Sequence, residues 1–365
     1  MAAVSDRSPE VRAALDTIPA YVPGKPPPPV PGRPTYKLSS NENPHEPLPG
    51  VLDAAVAAAA RMNRYPDMSA SRLYERIAER LAVPVTDLAL ATGSVAVLYH
   101  LLQGLCEDGD EVVIAWRSFE AYPIAIQLTG ARTVAVPLSV DARHDLPAMA
   151  AAVTERTKAV LVCTPNNPTG PAVPRVELDR LLAAVPSHVV VVVDEAYVEF
   201  VDDPDVASGL DLYRERHNVV VLRTFSKAYG LAGLRVGYAI APEPLAAAIR
   251  KAALPFGVSQ VAQEAALASL EHEGELLERV AAVVAERGRV VAALRAQGWD
   301  VPDAQGNFLW LGLGADTLDF AAAAAAVGVM VRPFAGDGAR VTIGEPDGDD
   351  VLIETAAQFR KAIQA

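Results

Sequence analysis

The stretch HVVVVVDEAY, residues 188–197, sets five consecutive valines before two acids and a tyrosine. A short apolar run without alternating polar residues is typical of a strand that is buried on both faces, as in a mostly parallel sheet covered by helices. Asp194 and Tyr197 follow this run directly. The stretch therefore predicts a central strand with polar side chains at its carboxyl end.

Similar apolar runs recur along the chain. The further strand candidates are LALATG (88–93), EVVIAW (111–116), RTVAVPL (132–138), AVLVCTPNNP (159–168), NVVVLRTFS (218–226) and RVGYAI (235–240). Segments between them, such as SVAVLYHLLQGL and RVELDRLLAAV, have helical spacing. We therefore predict an α/β fold with a mostly parallel central sheet.

The composition changes twice along the chain and predicts three parts. Residues 1–40 should form a short helix and an extended arm, because PGKPPPPVPGRP (23–34) cannot join a helix or a central strand. Residues 41–255 should form the large domain. Residues 256–365 should form a smaller α+β domain, against which, or against a dimer partner, the arm packs. The candidate elements of this smaller domain are a long helical region and short strands at FLWLGL, VMVRPF and ARVTIG.

Charge and cysteine content exclude several classes of protein. The 365 residues carry a formal net charge of −13, which argues against nucleic acid as a partner, because phosphate binding needs a basic surface. Cys106 and Cys163 lie far apart, so we expect neither a disulfide framework nor a cysteine-rich zinc site, and we predict no metal. We also expect no signal peptide, no membrane span and a cytoplasmic location.

Polar side chains collect at the predicted strand ends, which is where an open parallel sheet binds ligands. They are Ser94, which follows Gly93, and Asn167, Asp194, Tyr197, Thr224, Ser226 and Lys227. Each has an ordinary explanation alone: an aspartate after a strand often caps a helix, and a lysine beside a serine is usually solvated.

Together these groups suit a pyridine ring that carries a phosphate. A lysine amine can form a Schiff base with an aldehyde, and a carboxylate near the ring nitrogen keeps that nitrogen protonated. Protonation makes the ring an electron sink. Hydroxyls, a guanidinium and the amides of a helix N-terminus can hold the phosphate.

Three motifs resemble the signatures of fold-type-I aminotransferases that depend on pyridoxal 5′-phosphate. They are SKAYGLAGLR (226–235), DEAY (194–197) and PNNPTG (165–170). The most similar subgroup contains the histidinol-phosphate aminotransferases and their aromatic amino acid aminotransferase relatives. The resemblance covers nearly the whole chain, from LSSNENP (38–44) through NRYPD (63–67) to GNFLWL (306–311), VRPF and RVTIG.

The resemblance implies a role for each cofactor-binding residue. Lys227 would hold the cofactor as a Schiff base and then move the proton between Cα and C4′, while Asp194 would pair with the pyridinium nitrogen. Tyr197 and Asn167 would hydrogen-bond the ring oxygen O3′. The phosphate would be held by Thr224, Ser226 and Arg235, by Ser94 and Val95 after Gly93, and by Tyr65 of a neighbouring subunit. The active unit would therefore be a homodimer.

The resemblance also implies how the substrate binds. Phe119 would stack on the cofactor ring, although many relatives have a tyrosine there. Arg340 would hold the substrate carboxylate, a task that suits a planar guanidinium. Asn41, Tyr21 and Arg332 are assigned to the same substrate site.

The sequence is compatible with two kinds of substrate. WRSFEAYPI (116–124) and YVPGK near Tyr21 resemble the aromatic branch, and Tyr21, Phe119, Tyr122 and Phe334 could line an apolar pocket. Alternatively, Arg332 could hold a second anion, which would favour histidinol phosphate as the substrate. The ordinary explanation of Arg332 is a structural ion pair at a strand end. We favour an aromatic aminotransferase that uses 2-oxoglutarate by a ping-pong mechanism.

Two other activities remain open. The same fold carries decarboxylases and C–S lyases, so fold alone does not determine the reaction. A cofactor-sensing regulator would need a DNA-binding module. The acidic charge and the proline-rich first forty residues argue against one.

Overall fold

The computed structural model describes residues 10–12 and 14–364. Of the predicted N-terminal helix, residues 1–9 and 13 lie outside the described residues. Within them, the helix α1 covers only Ala14–Thr17, and the proline-rich segment that follows has neither helix nor strand up to Thr35.

The strands match the predicted apolar runs closely. They are β1 (Tyr36–Lys37), β2 (Leu88–Ala91), β3 (Glu111–Trp116), β4 (Arg132–Pro137), β5 (Thr157–Cys163), β6 (Val190–Asp194), β7 (Val219–Thr224), β8 (Gly237–Ile240), β9 (Phe308–Gly312), β10 (Val329–Met330), β11 (Arg332–Phe334) and β12 (Gly338–Thr342).

Helices cover most of the intervening segments. They are α2 (Pro49–Ala59), α3 (Ser71–Leu81), α4 (Ser94–Leu105), α5 (Ala121–Leu128), α6 (Leu146–Ala151), α7 (Arg175–Ala184), α8 (Gly209–Glu215), α9 (Glu243–Ala252), α10 (Gln260–Glu271), α11 (Glu273–Ala296), α12 (Thr317–Ala326) and α13 (Pro346–Gln364). The long predicted helical region after residue 258 is thus two helices, which meet at His272.

A seven-stranded sheet forms the centre of the molecule. Its strand order is β2–β8–β7–β6–β5–β3–β4, and the neighbours from β7 to β4 are all parallel. Only β8 runs against its neighbours, pairing antiparallel with β2 and β7. The predicted α/β fold with a mostly parallel sheet is confirmed.

The valines of β6 show why the run has no polar alternation. Val191 and Val193 pack into one hydrophobic core, whereas Val190 and Val192 pack into a second core on the opposite face of the sheet. Successive side chains of a strand point to opposite faces, so a strand covered on both sides needs apolar residues at every position.

The C-terminal part contains a smaller sheet, and here one prediction was wrong. VMVRPF was expected to be one strand, but it divides at Val331 into β10 and β11. The first pairs in parallel with β1 of the arm, and the second pairs antiparallel with β12, which also pairs with β9. The segment divides because its two halves share backbone hydrogen bonds with different partners.

Among the helices of the described residues, none is long and apolar enough to cross a membrane.

Candidate active site

A cavity of about 390 Å³ lies at the carboxyl ends of β5, β6 and β7, between the large sheet, the arm and the small sheet. Most of the predicted site residues line it: Tyr21, Ser94, Val95, Phe119, Asn167, Asp194, Tyr197, Thr224, Ser226, Lys227, Arg235, Arg332 and Arg340. Residues far apart in the chain meet because parallel strands bring their carboxyl ends to one edge of the sheet.

Lys227 follows β7, and its side chain reaches the segment after β1. Its Nζ donates to the backbone carbonyls of Ser40 and Asn41, each at 3.3 Å. Burial in the cavity wall and the positive charge of Arg340 lower the pKa of Lys227 to about 7. Much of this amine is therefore neutral near pH 7, as a lysine nucleophile requires.

Asp194, the last residue of β6, has two oxygens in different surroundings. Oδ2 accepts a 2.7 Å hydrogen bond from the hydroxyl of Tyr122. Oδ1 is buried and has no hydrogen-bond partner among the described residues. Burial raises the pKa of Asp194 to about 6, against the lowering effect of the Tyr122 bond. A buried carboxylate oxygen without a partner suits a cationic ring N–H, which would also favour the ionised carboxylate.

Tyr122 does not have the position that the sequence suggested. The sequence indicated that it could line an apolar pocket, but it is 1% exposed and is absent from the cavity lining within the described residues. Its ring packs edge-on against Phe119 at 5.5 Å, and its hydroxyl reaches Asp194. The three-residue spacing of Phe119 and Tyr122 in the sequence indicates that the two rings lie on one side of a helix. It does not indicate the hydrogen bond from Tyr122 to Asp194, which depends on the fold.

Asn41 reaches the site through Tyr197. The Asn41 side chain is fully buried, its Nδ2 donates to the Tyr197 hydroxyl at 3.0 Å, and its Oδ1 accepts from Thr342 at 3.0 Å. The assignment of Asn41 to substrate binding stays a prediction, and in this structure its side chain orients Tyr197. Asn307 donates to the Asn41 carbonyl at 3.2 Å, a partner that the sequence did not suggest.

Arg340 of β12 reaches across the cavity to Asn167, which follows β5, and to Ser39, which follows β1. Nη1 donates to Oδ1 of Asn167 at 2.6 Å, and Nη2 donates to the carbonyl of Ser39 at 2.7 Å. Both acceptors are neutral, and Nε is buried without a hydrogen-bond partner in the part of the chain described. The guanidinium charge therefore has no carboxylate among its hydrogen-bond acceptors there, which suits an anionic ligand.

Two hydroxyls, a guanidinium and a helix N-terminus line the same cavity and could together hold an anion. Thr224 and Ser226 are hydrogen-bonded at 3.0 Å, and Arg235 donates to Ser226 at 3.2 Å. Gly93 has φ +92° and precedes α4, whose first residues, Ser94 and Val95, line the cavity. N–H groups at a helix N-terminus favour phosphate.

Gly93 also lies very close to Arg235. A Cβ at residue 93 would lie 2.5 Å from Nη2 of that arginine. Glycine therefore serves two needs at once, the left-handed backbone and the room for the guanidinium.

Tyr65, which was predicted to reach the phosphate of a neighbouring subunit, lies apart from this group. It is 82% exposed, stacks on Phe256 at 4.7 Å between ring centroids, and is not part of the cavity wall formed by the described residues. Phe119 and Tyr21 do line the wall, with their rings edge-on at 6.5 Å. Over the same residues, no group of three or more His, Cys, Asp or Glu side chains could hold a metal ion.

Glu120 is a wall residue that the sequence did not single out. Its Oε2 accepts a 2.7 Å hydrogen bond from Nη2 of Arg332. The predicted alternative of a structural ion pair at Arg332 is therefore present.

Known proteins resemble this chain over nearly its whole length. The sequence matches the family described as aminotransferase class I and II over residues 33–358. A protein of Streptomyces avermitilis named aromatic amino acid aminotransferase is 59% identical over 360 residues, which cover 99% of this chain and 100% of that protein. A protein of the same name from Thermobifida fusca is 55% identical, covering 98% of this chain and 99% of that protein.

Solved structures show the same fold. A histidinol-phosphate aminotransferase from Sinorhizobium meliloti, in complex with pyridoxal-5′-phosphate, superimposes with a TM-score of 0.85. The two chains are 25% identical, and the match covers 98% of this chain and 99% of the other.

Proposed function

The chain belongs to the class I and II aminotransferase family, and from this premise we propose that it moves the amino group of an aromatic amino acid to a 2-oxo acid. The observation that carries the choice of donor is the 59% identity to an aromatic amino acid aminotransferase over the full length of both chains. The histidinol-phosphate aminotransferase from Sinorhizobium meliloti is much more distant, at 25% identity.

The family depends on pyridoxal 5′-phosphate, and the cavity suits it. When bound, this cofactor supplies an aldehyde and an electron-withdrawing ring that stabilises negative charge on the substrate α-carbon. Thr224, Ser226, Arg235 and the N-terminus of α4 would hold the phosphate. Asp194 would pair with the ring nitrogen, Tyr197 and Asn167 with the ring oxygen, and Phe119 with the ring face.

Lys227 is the acid and base of the proposed reaction. With a pKa of about 7, its amine can take a proton from the substrate α-carbon and return it near neutral pH. The carbonyls of Ser40 and Asn41 accept from Nζ and so keep the amine aligned within the cavity.

Arg340 orients the substrate. Its guanidinium would take the substrate carboxylate, while Tyr21, Phe119 and Phe334 offer apolar surface for an aromatic ring. Amino acid and oxo acid both carry a carboxylate beside the reacting carbon, so both would use Arg340 in turn. We infer a ping-pong reaction with 2-oxoglutarate as the acceptor.

We propose that the active unit is a homodimer. Tyr65 packs on Phe256, which lines one surface depression together with Met68 and Leu254, and these three side chains are between 42% and 73% exposed. A second copy packed there would cover this surface and bring Tyr65 to the partner's phosphate site. Light scattering should then give a mass of twice the 38.5 kDa of one chain. A mass of one chain at micromolar concentration would contradict the proposal.

The reaction type is tested by product analysis. Purified enzyme, loaded with pyridoxal phosphate, is incubated with phenylalanine and 2-oxoglutarate. We expect phenylpyruvate and glutamate in equal amounts, and none from the Lys227→Ala variant. Release of CO₂ and phenethylamine would assign the chain to the decarboxylases instead.

A further inference from the structure

Two arginines point into the same end of the cavity from neighbouring strands. Arg332 of β11 and Arg340 of β12 are directly paired in the antiparallel register, and both line the cavity. Directly opposed residues project from the same face of a sheet. Together they form what we call the anion end of the cavity.

The two guanidinium groups differ in their partners. Arg340 donates to the neutral oxygens of Asn167 and Ser39. Arg332 donates instead to the carboxylate of Glu120 at 2.7 Å, and the side chains of this pair are 11% and 31% exposed. With Glu120 in place, the three charges of the anion end sum to +1, whereas the two arginines alone would give +2.

These three charges are close enough to affect one another. Burial lowers the pKa of Arg340, the charge of Arg332 lowers it further, and the charge of Glu120 raises it. A carboxylate at this position therefore changes the field that an incoming anion meets.

The side chain of Glu120 does not cap the helix α5. It immediately precedes α5, a position at which acidic side chains often bond the free backbone N–H groups. In this chain its side chain forms no cap hydrogen bond among the described residues and reaches across to Arg332. The carboxylate of Glu120 is therefore paired with Arg332 in the cavity wall.

We propose that Glu120 is a specificity-determining residue, which makes the anion end select a singly charged carboxylate over a doubly charged phosphate monoester. This inference rests on the proposed function, in which the anion end receives the substrate carboxylate. A phosphate monoester carries a charge of about −1.5 to −2 at pH 7, so it needs a second free cation. To obtain one, it must displace Glu120 from Arg332 and then lie beside the released carboxylate.

Two probes of similar shape test this selection directly. Phenylacetate carries one negative charge and phenyl phosphate nearly two, and each has a phenyl ring. Their Kd values are measured by calorimetry on the holoenzyme, whose cofactor already fills the other anion site. In wild type we expect phenylacetate to bind at least as tightly as phenyl phosphate.

Removing the charge of Glu120 should reverse this preference. In Glu120→Gln, the ratio of the phenylacetate Kd to the phenyl phosphate Kd should rise about tenfold or more, because an added net charge favours the dianion. In the double variant Glu120→Gln with Arg332→Gln, the gain should disappear, since the freed guanidinium is its source. Glu120→Ala provides a second route if the first variant folds poorly.

Asp337→Asn is the matched control. It removes a carboxylate from a nearby ion pair with Arg117 at 2.6 Å, and neither partner is part of the described cavity wall. Its Kd ratio should stay within twofold of wild type. An unchanged ratio in folded Glu120→Gln, or a gain that persists in the double variant, would overturn the inference.

Binding and turnover separate this inference from the proposed function. If wild type fails to convert phenylalanine but the Kd ratio changes as expected, the donor assignment is wrong and the role of Glu120 stands.

Discussion

The hydroxyl of Tyr122 donates a 2.7 Å hydrogen bond to Oδ2 of Asp194, in a part of the core where the two residues are 1% and 6% exposed. This bond fixes one carboxylate oxygen. The other oxygen, Oδ1, is left without a hydrogen-bond partner among the described residues. We infer that Tyr122 is a positioning residue, which holds the carboxylate of Asp194 so that its free oxygen would be left for the proposed ring nitrogen.

Tyr122→Phe should impair the enzyme most at low pH. In wild type, the hydrogen bond from Tyr122 lowers the pKa of Asp194. The variant lacks this bond, so the pKa of Asp194 should rise above its wild-type value of about 6. Fewer carboxylates are then ionised near neutral pH. We expect the acid limb of the pH–rate profile for the phenylalanine half-reaction to move to higher pH, with a rate loss of about tenfold at pH 6.5.

The control for this variant is Tyr99→Phe, which removes a hydroxyl on α4 from a side chain packed against the same core as Tyr122. Its pH–rate profile should match wild type. If Tyr122→Phe also had a wild-type profile, the hydrogen bond would have no role in catalysis.

Gly93→Ala should weaken cofactor binding. The new methyl group would lie 2.5 Å from the Arg235 guanidinium, and the backbone has φ +92°. Gly109→Ala is a matched control, because its φ of +87° imposes similar strain but the described residues leave open space for the methyl group. Each variant should lose about 1–3 kcal/mol of stability.

The two glycine variants should differ only in their affinity for the cofactor. We expect the Kd for pyridoxal phosphate to rise at least about tenfold in Gly93→Ala and to change less than twofold in Gly109→Ala. Equal effects in the two variants would show that strain, and not displacement of Arg235, weakens binding.

Lys227 should react with its cofactor at unusually low pH. Its pKa is lowered from 10.5 to about 7, and only the neutral amine is nucleophilic. In cofactor-free protein, the rate at which Lys227 attaches to added pyridoxal phosphate should rise with pH and level off above about 7. Stopped-flow absorbance gives the rate, and borohydride reduction with peptide mapping gives the site.

Arg340→Gln provides the control, since the Arg340 charge helps to lower the pKa of Lys227. Its rate profile should level off at higher pH. A wild-type profile that still rises at pH 9 would contradict the proposed environment of Lys227.

Arg340→Lys should weaken substrate binding more than turnover. An ammonium group cannot make the two parallel hydrogen bonds of a guanidinium with a carboxylate. We expect KM for phenylalanine to rise about 10- to 100-fold with a smaller change in kcat. Arg117→Lys, at an ion pair outside the described wall, should leave KM within twofold. Equal losses in both variants would contradict the assignment of Arg340.

The sequence predicted the central sheet well because local physics determines it. Valine runs of β6 and β7 must be strands covered on both faces, and their polar ends must then meet at one edge. Arg340 and Lys227 lie in separate parts of the chain, and only the resemblance to a family linked them before the structure did.

The missed features depend on contacts that no local pattern records. VMVRPF is one apolar run, and its division into β10 and β11 follows from pairing with two partners distant in sequence. Glu120 resembles any acidic residue at a helix start until Arg332 lies beside it. Tyr122 resembles a core aromatic, which it is, and its hydroxyl gains a role only through Asp194.

The most direct test of the proposed function is a single-turnover titration of the holoenzyme with separate amino donors. Phenylalanine, tyrosine and histidinol phosphate are each mixed with the enzyme, and the loss of cofactor absorbance is followed. We predict fast conversion by the two aromatic amino acids and a rate at least about 100-fold lower with histidinol phosphate. Faster conversion by histidinol phosphate than by either amino acid would contradict the proposed function.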